Sequence, residues 1–369
     1  MKFNCNKSDL IEAISIVQKA IKTNSTVQIL DGILIQADDS GVKLTGYDLE
    51  TGIEADLDSD IKENGSIVVP SRLFSENIKK LPEEMTTIST DDRNQLRIEC
   101  GSFDTNIKGN SADSYPKIPI IETENKITIG QKVLKNMIDH TIFAVSKDDT
   151  RQSLTGCCLE SDGSTITMVA IDGFRMALRR EDAGTDFPLM NFIIPGKALS
   201  ESAKIFDGDS DDKEVIIYSS SNHLLFDIGK VRIVSRRIQG PFVNYNSIIQ
   251  KNPKSIMRVN RKAILDAVDR AAIMIMTDER RCPVRLSMDD DTTLVVSSTT
   301  EAGDTKESID ISIEGENIDI DYNAKFLIDA LKNIDDETVR MEFNGTQGPC
   351  IIVPENGNSY VYLILPIRR

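Results

Sequence analysis

The sequence predicts an α+β fold of three repeated domains, each with two helices packed on antiparallel β-sheet. An apolar stripe with spacing 0, 4, 7, 11 occurs three times, as Leu10, Ile14, Val17, Ile21, then Leu134, Ile138, Thr141, Val145, then Ile264, Val268, Ala271, Ile275, offset by 124 and 130 residues. Each stripe is one face of a helix. A strand running into a helix recurs in phase with it, as "VVPSRLFSENIKKL" at 68–81, "IIPGKALSESAKIF" at 193–206 and "IDYNAKFLIDALKNI" at 320–334. Two elements repeating in register are improbable by chance, and at 369 residues the chain is too long for one ordinary core.

The elements follow in order. The alternating pair Phe3 and Cys5 predicts a strand before a helix at 7–22, and short β-rich runs such as "VKLTGYDLETGIEADL" lead to the helix at 71–81. The connector "SADSYPKIPIIETEN" at 111–125 then opens a second copy: a strand through Ile127 and Ile129, a helical segment 131–147, the strands of "TITMVAIDGFRMALRRE", and a helix at 196–206. A connector "GPFVNYNSIIQKNPKS" at 240–255 opens the third, with a strand through Met257 and Val259, a helical segment 258–276, the strand beginning at Thr293 and a helix at 323–334. Pro70 and Pro195 suit the first helical turn, where a missing N–H costs little. The boundaries expected are 1–122, 123–252 and 253–369. The chain closes on "VYLILPIRR", apolar on both faces of an alternating strand, with Pro366 marking where pairing should end.

Several chemistries are poorly supported. Six cysteines lie scattered without a C-x-x-C pair and only two histidines exist, His140 and His223, so no metal site is expected. Cys157 and Cys158 sit in an apolar run and read as buried free thiols in a strand. Neither histidine belongs to a triad-like motif, and no Walker, dinucleotide or nucleophile-elbow signature is present. No catalytic residue and no cofactor are expected. No run of about 18 apolar residues occurs and the N-terminus lacks a secretory profile, which predicts a cytoplasmic protein without a membrane segment.

Net charge is −16, yet its distribution points the other way. Counted over the six predicted helical segments, lysines and arginines outnumber carboxylates in every one, for +9 together, so the remainder carries −25. Arg72, Lys197 and Lys325 occupy the same helix position in the three copies. Charges beyond a Debye length, about 10 Å at moderate salt, are largely screened, so a polyanion near these helices would feel the local excess. The partner implied is a nucleic-acid backbone, and the candidates to face it are Lys19, Lys22, Arg72, Lys79, Lys80, Lys132, Lys135, Lys147, Arg151, Lys197, Lys204, Lys262 and Lys325. No base-reading module or aromatic stacking platform is present, so contact should be sequence-independent. A carboxylate-using hydrolase and a protein-binding scaffold are the rival readings; the basic helices argue against the second.

At this point the chain resembles a family. "MKF", "VPSRLF", "SYPKIP", "AIDGFRMAL", "YNSII" with "KNP", and "YLILPIRR", spread over all three thirds, are similar to the bacterial DNA polymerase sliding clamps, the β subunit of DNA polymerase III holoenzyme. The resemblance implies a non-catalytic processivity factor: a head-to-tail homodimer ring whose helices line a hole for double-stranded DNA. It also implies a pocket that takes short peptides of the replicative DNA polymerase, the clamp loader and DNA repair proteins. Carried over by position, the pocket wall would be Leu154, Ile171, Gly173, Phe174, Arg175, Met176, Val243, Ile248, Leu363, Ile364, Leu365, Pro366, Ile367 and Arg368. Ile171, Val243 and Ser247 depart from the threonine, proline and basic residue usual there. The dimer interface would join Phe103, Thr105 and Ile107 to Ile273 and Met274, with Thr105 less apolar than the family pattern.

Overall fold

The structure, a computed structural model, describes residues 1–22, 26–121, 126–184, 187–249, 252–274, 283–288, 290–301, 303–345 and 347–367. Six α-helices occur among the described residues: α1 (Lys7–Val17), α2 (Ser71–Lys79), α3 (Gln131–Asp139), α4 (Gly196–Ala203), α5 (Arg261–Ile273) and α6 (Ala324–Lys332). The strands paired with them are antiparallel throughout. The predicted strands before the first, third and fifth helices are present as Lys2–Asn6, Lys126–Gly130 and Ser255–Asn260, with Phe3, Cys5, Ile127, Ile129, Met257 and Val259 all turned inward.

The chain divides into two compact units. The first holds residues 1–134 and 197–237, the second 135–196 and 238–369. In the first unit a five-stranded sheet runs in the order Asp60–Glu63, Lys2–Asn6, Met85–Thr90, Gln95–Cys100, Phe103–Lys108. An eight-stranded sheet runs Lys126–Gly130, Glu214–Ser219, His223–Asp227, Val231–Arg236, Thr51–Leu57, Gly41–Tyr47, Gly32–Asp38, Gly65–Pro70. At its centre Ile233 pairs with Ile53 and Ser235 with Thr51, so strands from the first and second thirds of the sequence form one ladder. α1 packs on α2 and on the strands Gly41–Tyr47 and Thr51–Leu57 through buried Leu10, Ile14 and Val17.

The second unit carries one twelve-stranded sheet, running Met190–Pro195, Gly156–Ser161, Thr165–Ile171, Arg175–Asp182, Tyr360–Ile364, Cys350–Val353, Thr338–Phe343, Ser255–Asn260, Gly303–Gly315, Thr293–Thr300, Pro283–Met288, Asp319–Asn323. Here Met176 pairs with Leu363, joining the second and third thirds. α5 packs on α6, burying Ile264, Val268 and Ala271. The two units therefore cut across the threefold division, because each of these ladders binds strands from neighbouring thirds. The terminal strand Tyr360–Ile364 is buried on both faces between Arg175–Asp182 and Cys350–Val353, and regular pairing ends two residues before Pro366.

The helices are shorter than the apolar stripes predict. α1 stops at Val17, followed by a 3-10 turn at Gln18–Ala20, where the strand through Gly46 closes in: a Cβ there would lie 2.2 Å from the Val17 carbonyl oxygen. α3 ends at Asp139, where the Thr141 N–H turns to Ile138 O at 3.0 Å and its Oγ1 donates to Met137 O at 2.7 Å, while His140 Nδ1 meets Asn136 O at 2.8 Å. α5 starts only at Arg261, since Asn260 caps it by accepting from the Ala263 N–H. Ile275 lies outside the described residues. Pro70 and Pro195 end strands at the sheet edges instead of sitting in the helices, where an absent N–H breaks no ladder. With these boundaries α1 is net acidic, with Lys7 against Asp9 and Glu12, and α4 is neutral, with Lys197 against Glu201; the other four remain positive.

Candidate partner-binding groove and nucleic-acid interface

In the second unit the strands Thr165–Ile171 and Arg175–Asp182 form a hairpin whose last pair is Ile171 with Met176. Its turn is built by Asp172, whose Oδ1 accepts from the N–H groups of Phe174 (2.9 Å) and Arg175 (3.0 Å), and by Gly173 at φ +95°. Phe174 is left at the tip, 64 % exposed. The terminal strand runs alongside, and beyond it Leu365 N donates to Phe174 O at 2.9 Å and Ile367 N to Asp321 O at 2.8 Å. The polypeptide after the strand is thus tied by backbone bonds first to the hairpin tip and then to the strand Asp319–Asn323.

Below this rim lies one apolar cluster. Leu154, Ile171, Met176 and Leu363 are buried together with Val169, Leu178, Tyr245, Ile351, Val353 and Val361, and Phe242, Ile248 and Ile249 pack against them. Five predicted wall residues therefore meet: Leu154, Ile171, Met176, Ile248 and Leu363. Gly173, Phe174, Leu365 and Pro366 form the adjoining rim, Val243 is exposed beside Phe242, and Arg368 lies outside the described residues.

Two of the expected wall residues stand apart from this cluster. Ile364 alternates to the opposite face of its strand and is buried away from the cluster. Arg175 is turned inward: its Nε donates to Asp172 Oδ2 (2.9 Å), Nη1 to Asp329 Oδ2 (2.6 Å) and Nη2 to Phe143 O (2.5 Å), with its guanidinium 4.4 Å from the Phe326 ring centroid. With three of its five N–H groups engaged, the guanidinium braces the hairpin.

Cluster residues outside the expected wall are Val169 and Leu178, each two positions from a predicted wall residue and so on the same strand face, Val361, which alternation already puts on one face with Leu363, and Ile351 and Val353. Tyr245 and Phe242 fall in a segment read as a connector. The Tyr245 hydroxyl hydrogen-bonds Glu160, and burial together with that carboxylate pushes its pKa up. It also borders a cavity of about 690 Å³ whose walls include Glu160, Arg180 and Asn191.

The basic candidates gather most clearly in the first unit. Lys19 Nζ donates to Lys204 O at 3.4 Å, Gln18 Nε2 donates to Ser71 Oγ at 2.9 Å beside Arg72, and Lys22 and Lys197 both reach Asp48 Oδ2, at 3.3 and 2.5 Å. Burial, with Lys204 nearby, lowers the Lys19 pKa against the opposing pull of Glu201. Lys197 is therefore not a plain solvated side chain. Other lysines are also paired on the surface: Lys79 with Glu76, Lys132 with Asp211 and Lys204 with Glu201. Lys80 is exposed near the end of α2. In the second unit Lys147, Arg151, Lys262 and Lys325 are exposed and Lys135 is partly buried. Arg72, Lys197 and Lys325 each stand second in their helices, as the repeat predicts.

Of the interface candidates, Phe103 and Thr105 lie on the edge strand of the five-stranded sheet, Phe103 being 39 % exposed, whereas Ile107 is buried in its own sheet. In the second unit Ile273 is 64 % exposed at the end of α5, with Met274 following it. No helix among the described residues is long and apolar enough to cross a membrane.

Comparison with known proteins covers the whole chain. Family models described as the DNA polymerase III beta subunit N-terminal, central and C-terminal domains match residues 1–119, 128–244 and 246–368. The beta sliding clamp of Staphylococcus epidermidis is 35 % identical over 377 aligned residues, covering 100 % of this chain and 99 % of that protein; that of Staphylococcus aureus is 34 % identical with the same coverage. Among solved structures, the DNA polymerase sliding clamp from Bacillus subtilis aligns with a TM-score of 0.95 at 35 % identity, over 100 % of this chain and 99 % of that one. A putative DNA polymerase III beta subunit from Eubacterium rectale aligns with the same TM-score at 34 % identity over 100 % of both chains.

Proposed function

The chain belongs to the DNA polymerase III beta subunit family, and from that premise we propose how this sliding clamp, a processivity factor of DNA replication, uses its surfaces. The observation that carries the function is the unbroken order of the three clamp-domain matches along the full chain. Two copies close head to tail into a non-catalytic ring, with Phe103 and Thr105 of one copy against Ile273 and Met274 of the other. The basic residues from the end of α1 and the starts of α2, α4 and α6 face double-stranded DNA without reading its sequence. The protein works in the cytoplasm, without cofactor or metal. The rim of Phe174, Val243 and Leu365 over the Leu154–Leu363 cluster takes apolar anchors of peptides from the replicative polymerase, the clamp loader and repair proteins. A few such anchors would bind at micromolar strength, about −8 kcal/mol.

The ring reading is tested on DNA topology. With a clamp loader, the protein is expected to stay on closed circles through a salt wash and to leave after a single linearising cut. Direct binding to short duplexes should be weak and fall with salt, at a log–log slope of roughly −0.9 per neutralised phosphate. Equal loss from circles and linear molecules would reject encirclement and favour a scaffold that binds DNA only by its surface.

A further inference from the structure

We propose that Asp48 is a built-in counter-charge that tempers the grip of Lys22 and Lys197 on a phosphate backbone. The inference rests on the DNA-facing reading of those two lysines. Both ammonium groups converge on one carboxylate oxygen, with Lys197 Nζ at 2.5 Å and Lys22 Nζ at 3.3 Å from Asp48 Oδ2. Lys22 also meets Glu50 Oε2 at 3.2 Å. The Asp48 side chain is 2 % exposed, while those of Lys197 and Lys22 are 41 % and 49 % exposed. The carboxylate is thus hidden behind the two cations it neutralises.

Asp48 is also fixed in place. Its Oδ1 accepts from the N–H groups of Glu50 (3.0 Å) and Thr51 (2.7 Å), and Glu50 O accepts from Arg236 N at 2.9 Å where the two thirds of the eight-stranded sheet join. This separates it from the carboxylates paired with Lys79 and Lys132, whose ion pairs are surface-exposed and so yield to a competing phosphate at little cost. A buried carboxylate cannot be resolvated when a lysine swings away, so this pair persists. Lys22 and Lys197 against Asp48 and Glu50 leave no net charge, and an approaching phosphate meets oriented ion pairs instead of two full cations. Each ammonium keeps donors free on its exposed side, so contact is weakened without being abolished. Sequence-independent phosphate contact is the kind of binding that permits movement along DNA, and a tempered charge keeps it shallow.

The test uses the full-length protein and a fluorescently labelled short linear duplex, followed by anisotropy from 50 to 200 mM salt. Asp48→Asn keeps the oxygen that holds the turn and removes the charge; Glu50→Gln removes the exposed carboxylate without touching the interior. Asp48→Asn is expected to bind about tenfold tighter at low salt and Glu50→Gln about twofold tighter, both gaps narrowing as salt rises. Lys22→Ala and Lys197→Ala are expected to bind more weakly. A melting profile checks that Asp48→Asn is folded, and Glu50→Gln decides the question if it is not. Unchanged or weaker binding in the acidic-site variants, alongside weakened lysine variants, overturns the counter-charge alone. If the lysine variants also bind like the parent protein, the DNA-facing reading of these residues falls with it.

Discussion

At the scale of single residues, Asp48 is one contributor to acid stability in the first unit. Burial pushes its carboxyl upward, but Lys197 and the Thr51 and Glu50 amides outweigh this and hold it below the ordinary carboxylate value. A lowered folded-state pKa contributes stability that is present above the ordinary value near 4 and is lost as pH falls through the lowered one. Asp48→Asn should therefore cost about 1.5–3 kcal/mol at neutral pH and have a flatter acid limb, so that the two melting temperatures converge below about pH 4. Parallel limbs would show that Asp48 gains nothing from its partners. The thiols make a second residue-scale case. Burial pushes Cys5 and Cys157 up to about 12, and Cys100, Cys158 and Cys350 are also buried. Ellman's reagent at pH 8 should label these five only when denaturant unfolds the protein, since the thiolate is the reactive form. Cys282 lies outside the described residues.

At the scale of elements, the end of the chain separates into a structural strand and a working edge. Tyr360–Ile364 is a central strand buried on both faces, and Tyr362 donates to Asn333 O at 2.9 Å. Leu365 to Ile367 add two backbone hydrogen bonds and an exposed leucine. Removing 365–369 should cost roughly 1–3 kcal/mol from two net hydrogen bonds and leave the cooperative melt intact. The same truncation is expected to abolish titration heats with a polymerase-derived peptide, because one wall of the proposed groove goes with it. Undiminished peptide affinity would leave a plain terminal strand. Arg175 belongs at this scale too, as a brace tying the hairpin turn to α6 through Asp329.

At the scale of the whole molecule, the proposed ring depends on side chains that this chain leaves uncovered. Phe103→Asp and Ile273→Asp change exposed positions and should shift sedimentation from dimer to monomer, with the melting temperature of the monomer otherwise little altered. Ile107→Asp is a contrasting control. It would place a charge inside the sheet, where an unpaired buried group is costly, and should unfold the domain instead of parting two copies. A parent protein that sediments as a monomer at micromolar concentration would reject the dimer outright.

Local pattern by itself determined the repeating order of strand and helix, the inward faces of Leu10, Ile14, Ile264 and Val268, and the two-sided burial of "VYLI", because periodicity along the chain directly encodes which face leaves water. Family resemblance, not local pattern, placed Leu154, Ile171, Met176, Ile248 and Leu363 in one set. Tertiary structure decided the rest. Helix ends fall where a strand crowds Val17 and where the Thr141 N–H turns to Ile138 O, which a stripe of apolar residues does not record. The inward turn of Arg175 depends on Asp329, 154 positions away, and the neutralisation of Lys197 on Asp48, 149 positions away. Residue composition counts such charges singly. Only the path of the backbone brings them within hydrogen-bond reach, where a low-dielectric, fixed partner changes what each can bind.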